Sequence, residues 1–134
     1  MVDPKETLVR AWMAKARSDL GTARKVASGP DAYLDTAIYH CQQAAEKAIK
    51  ALLVRHDLRF EKIHDLEVLI SRAVPVAPGL SQMLDQADRL TPYAVLYRYP
   101  GEQLVPNAEE FAAALSAAEE IVACIESLLR AGAT

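Results

Sequence analysis

The sequence predicts an all-α protein, an antiparallel bundle of four to five helices, and three observations carry that expectation. Apolar residues recur at three- and four-residue steps along most of the chain. No alternating, strand-like pattern runs for more than a few residues. The composition is 51% hydrophobic and 25% charged but only 6% aromatic, and it is rich in the alanine and leucine that favour helices. A chain of 134 residues can bury one core, so a single domain spanning residues 1–134 is expected, without internal repeats or low-complexity tails.

The first helix is expected from about Pro4 to Ala27, where Leu8, Trp12, Ala16, Leu20 and Ala23 follow one another at helical steps. Ser28, Gly29 and Pro30 end it, since glycine tolerates a left-handed cap and proline cannot continue the hydrogen-bond ladder. Asp19 shares the apolar face and needs a donor there, most simply a basic side chain from the second helix. Asp31 is the expected cap of that second helix, which runs to about Asp57. Residues 58–64 then form a connector to a short helix from about Asp65 to Ala73. Pro75, Pro78 and Gly79 interrupt the chain before Ser81, the expected cap of a helix carrying Leu84, Ala87 and Leu90. Tyr93, Tyr97 and Tyr99 surround Arg98, and Pro100, Gly101 and Pro106 imply an extended loop. Asn107 with Glu110 resembles a capping box, after which Phe111, Leu115, Ala118, Val122, Ile125 and Leu129 define the last helix.

Residues 36–66 are the richest in functional candidates. Ile38, Cys41, Ala45, Ala48 and Leu52 make an apolar stripe, and Tyr39, Gln43, Glu46 and Lys50 make a polar one beside it. The polar stripe is expected to be solvated or to line a dimer, with contact to an anionic ligand as the alternative. From His40 to His64 five bases (Lys47, Lys50, Arg55, Arg59, Lys62) face three acids, for a local charge of +2. From Glu102 to Arg130 six acids face one base, for −5. The net charge of −3 argues against general nucleic-acid binding, whereas a locally basic turn can hold a phosphate or an acidic partner.

Cys41 and Cys124 fall on apolar stripes without zinc-ligand spacing, so both read as small core residues and no metal or other cofactor is expected. The start of the chain lacks a signal-peptide h-region, and no run approaches the roughly 18 apolar residues of a membrane span. A reduced, cytoplasmic protein away from membranes is expected. There is no metalloprotease pair, nucleophile elbow or phosphate-cradling glycine loop.

ARSDLGTAR in the first helix, AIYHCQQAAEKAIKALL in the second, KIHDLEVL after the connector and the later YRYPG together resemble the HEPN (higher eukaryotes and prokaryotes nucleotide-binding) domain over nearly the whole chain. The resemblance implies a helical bundle, frequently a homodimer, often encoded beside a minimal nucleotidyltransferase in prokaryotic toxin-antitoxin pairs. Some members are metal-independent ribonucleases using an arginine and a histidine, with four to six residues between them, arranged across a dimer cleft. This chain departs from that pattern, because no histidine follows Arg98; the literal match, Arg59 with His64, lies in the connector. One such pair can supply a base for the 2′-hydroxyl and a cation for the phosphorane, although a histidine at a turn is as readily a cap. The reading reached is a dimeric HEPN-like module that binds a nucleotide or a nucleotidyltransferase partner rather than an efficient enzyme. The candidate ligand residues are Tyr39, Gln43, Lys47, Lys50, Arg59, Lys62, His64 and Arg98. The alternatives are a ribonuclease toxin using Arg59 and His64, and a purely structural dimer subunit.

Overall fold

A computed structural model describes residues 2–100 and 105–132. Its helices are α1 (Pro4–Ala27), α2 (Leu34–Arg55), α3 (Leu66–Ala73), α4 (Leu84–Leu90) and α5 (Ala108–Ala131), and Pro78–Met83 and Thr91–Ala94 form single 3-10 segments. There is no strand among the described residues. Gly101, expected in the extended loop, lies outside them.

The centre of the bundle is α2, which packs on α1, α3 and α5. Its Ala37, Ala44, Ala45, Ala48 and Ala51 are fully buried, and such small side chains let neighbouring helices approach closely while Ile38, Ile49, Leu52 and Leu53 fill the remaining space. Ion pairs fix the directions of the packed helices. Glu6 meets Arg55 and Asp19 meets Lys47, so α1 runs antiparallel to α2; Arg17 meets Glu126 and Arg24 meets Glu119, so α1 is also antiparallel to α5. One core cluster draws residues from all five helices.

Several local expectations are corrected. Leu8 is 48% exposed, and the inward stripe of α1 is Val9, Met13, Ala16, Leu20 and Ala23, with Leu8 turned onto its flank. Asp31 does not cap α2: the Tyr33 amide donates to the Val26 carbonyl, tying the intervening turn back onto α1, and α2 then starts at Leu34 without a side-chain cap. Ser81 sits inside the 3-10 segment and donates to the Pro78 carbonyl instead of capping α4. Asn107 does accept from the Glu110 amide, but the Glu110 carboxylate turns away to Tyr93 and Tyr97, so the box closes on one side only. Asp3 and Asp65 cap α1 and α3. Gly29, at φ +83°, supplies the left-handed turn after α1.

Candidate functional site

Three features of the middle of α2 build the site. Gln42, Glu46 and Lys50 are spaced by four, so they stack along one face, and the fold buries all three. The polar stripe expected to be solvated or dimer-lining is therefore partly interior. Lys50 Nζ donates to Glu46 Oε2 at 2.8 Å and Gln42 Nε2 donates to Oε1 at 3.1 Å. Trp12 and Phe60, edge to face at 5.8 Å, enclose the ammonium at 5.7 and 5.4 Å from their ring centres.

Burial by itself pushes the Glu46 carboxyl pKa up, but hydrogen bonds from Lys50, Gln42 and His64 outweigh it and hold the group below its ordinary value. The last of these comes from the connector, where His64 Nδ1 donates to Glu46 Oε2 at 3.1 Å. Leu58, Phe60 and Ile63 pack half-buried on the core and fix the connector, and Asp57 and Lys62 take left-handed backbone to turn it. His64 is delivered to the surface just ahead of the Asp65 cap. A carboxylate only accepts, so Nδ1 carries the hydrogen and Nε2 is the free acceptor of the neutral ring.

The opposite wall comes from the chain after α4. Tyr93 and Tyr97 stack at 6.2 Å and both hydroxyls donate to Glu110, at 2.6 Å from Tyr93 and 3.0 Å from Tyr97. That anchor holds Tyr97 at φ +70°, a left-handed conformation that a bulky side chain adopts only when its surroundings demand it. The turn presents Arg98 to α2. Its guanidinium carbon lies 4.4 Å from the Tyr39 ring centre and 5.8 Å from that of Tyr99, and Nη1 donates to the Ala94 carbonyl.

Tyr39, Gln43, His64 and Arg98 thus line one cleft of about 300 Å³ with Glu46, Ala94 and Val95. A second cavity of about 310 Å³ shares Tyr39 and Arg98 and adds Asp35, Thr36, His40 and Tyr97. The other predicted residues go elsewhere. Lys47 is paired to buried Asp19 at 2.7 Å, which supplies the basic partner expected for that acid; His40 Nδ1 is also 2.7 Å from Asp19. Lys50 is committed to Glu46. Arg59 and Lys62 are exposed and line neither cavity, and the Arg59 carbonyl accepts from Arg72. The candidate ligand residues left out Glu46, which the sequence placed on the polar stripe, and Gln42, whose spacing of four from Glu46 signals a shared face.

A pocket of about 240 Å³ at the ends of α2 and α5 holds more arginines, including Arg10, Arg17, Arg55 and Arg130. There Arg55 is bound to both Glu6 oxygens and to the Leu129 carbonyl, which closes the end of α5, and Arg17 is paired to Glu126. No group of three or more His, Cys, Asp or Glu is arranged to hold a metal among the described residues, and none of their helices is long and apolar enough to cross a membrane.

Among curated proteins none matches the chain. A solved structure described as that of an archaeal HEPN homologue is similar, with a TM-score of 0.68 at 24% identity over 90% of this chain and 96% of the other. That likeness shows the fold. The family model for the HEPN domain matches residues 9–128, and by that match the chain belongs to the HEPN domain family.

Proposed function

We propose that this HEPN domain binds a nucleotide in the cleft between α2 and the turn after α4, acting as a homodimer and as the partner of a minimal nucleotidyltransferase in a two-component, toxin-antitoxin type system. One observation carries the nucleotide reading: Arg98, stacked on Tyr39, converges with the Glu46-anchored His64 on one cleft. The contact with Tyr39 steadies the guanidinium while leaving N–H groups for a phosphate. Gln43 gives one amide N–H to Gln42 and keeps the other, with its carbonyl, for a ligand. The partner and toxin-antitoxin roles rest on family membership. Calorimetric titration with ATP tests the nucleotide reading. Weak binding that falls as salt rises, and falls about tenfold in Arg98→Ala, supports it; no heat and no thermal stabilisation by any nucleotide would leave the partner-binding role alone.

Metal-independent RNA cleavage is a second reading, favoured by the anchoring of His64 on Glu46. The cation in its cleft is Arg98 and not the Arg59 expected from spacing. Metal-free RNA cleavage abolished by His64→Ala would establish it; the binding-module reading expects none above background.

A further inference from the structure

The two cavities on either side of the Arg98–Tyr39 stack differ in what they can hydrogen-bond. In the second, His40 is turned by Asp19, a buried carboxylate that occupies Nδ1 at 2.7 Å, so the neutral ring has its lone pair at Nε2. That nitrogen makes no bond within the chain among the described residues. Asp35 lines the same cavity, and only its Oδ1 is engaged, by the Thr36 amide at 2.9 Å. The cavity therefore offers one imidazole acceptor and one carboxylate acceptor, with the Thr36 hydroxyl between types. Asp35 repels a phosphate at close range. Hydroxyl groups are the chemistry such a cavity takes, and adjacent hydroxyls satisfy two acceptors at once.

We infer that the Asp35–His40 cavity is a ribose subsite, which makes the domain selective for ribonucleotides over 2′-deoxyribonucleotides. The inference rests on the nucleotide reading above and adds the sugar to it. Arg98, shared by both cavities, meets the phosphates, while the 2′-hydroxyl donates to His40 Nε2 and the 3′-hydroxyl to the free Asp35 oxygen. A missing 2′-hydroxyl leaves the His40 acceptor without its partner on the nucleotide, and sites built around a substrate hydroxyl discriminate against analogues without it.

The test is a pair of titrations, ATP and 2′-deoxyATP, on the full chain and on the Asp35→Ala and His40→Ala variants, with folding checked by circular dichroism. The expected result is ATP binding about tenfold tighter than 2′-deoxyATP to the unaltered protein. His40→Ala should bring ATP down to the deoxynucleotide level, whereas Asp35→Ala, which removes the partner of the 3′-hydroxyl that both nucleotides carry, should change both affinities and keep the preference for ATP. Equal affinities in the unaltered protein, or selectivity that survives in a folded His40→Ala variant, would overturn the ribose subsite while the nucleotide reading stood. Failure of both nucleotides to bind would remove the two together.

Discussion

Lys50 donates to Glu46 across 2.8 Å with both side chains more than nine-tenths buried. Breaking such a pair from one side strands a charge in the interior, which typically costs about 3–5 kcal/mol. Glu46→Ala should therefore lower the unfolding free energy by about that much in urea titrations. The double variant Glu46→Gln, Lys50→Met removes both charges together and should regain most of the loss. Equal destabilisation in the single and double variants would show that the pair is not the cause.

The same carboxylate sets an acid limit. Its folded pKa lies below the ordinary value, so the network stabilises the fold fully above the ordinary glutamate range of about 4.3, and that stability is lost as pH falls through the lower, folded value. Stability measured downward from pH 6 should drop below about pH 4. The Glu46→Gln, Lys50→Met double variant should lose less over the same range.

Cys41 is fully buried, and burial foremost pushes its thiol up to about 12. The half-buried Cys124 is raised by the same cause. At pH 8 a thiol reagent should modify Cys124 slowly and Cys41 only on unfolding, because the thiolate is the reactive form. Peptide mapping after brief labelling reads this directly, and early modification of Cys41 would contradict the packing of α2.

The homodimer reading predicts about twice the 14.6 kDa chain mass by light scattering. Exposed Leu8, Val68, Leu84 and Val95 give the monomer apolar surface for a second copy to cover. A strictly monomeric protein at tens of micromolar would contradict it.

Periodicity made the helices legible: α1 was bounded at both ends by Pro4 and by Ser28 to Pro30, and the last helix by its Asn107 cap. Caps chosen by residue type alone were less secure. Asp31 and Ser81 have the right chemistry, but a backbone bond from Tyr33 to Val26 and the 3-10 segment from Pro78 moved the helix starts past them. The site was half legible for a similar reason. Tyr39 and Gln43 share a face as their helical spacing predicts, whereas His64 joins them through its bond to Glu46 instead of beside Arg59, and Arg98 only through the Tyr97 turn and its Glu110 anchor. Counting charges did not separate the paired bases from the free ones. A basic partner for Asp19 was expected, but that it is Lys47 depends on how α1 lies against α2. The Lys50 pair with Glu46, legible as a spacing of four, is buried only because Trp12 and Phe60 cover it.

The central claim is where the nucleotide sits, and amide and side-chain chemical-shift mapping during titration with a non-hydrolysable ATP analogue tests it most directly. The account predicts shifts that saturate together at Tyr39, Gln43, His64 and Arg98, with none at Arg59 or Lys62. No saturable shift, or shifts confined to the pocket of Arg10, Arg55 and Arg130, would contradict it.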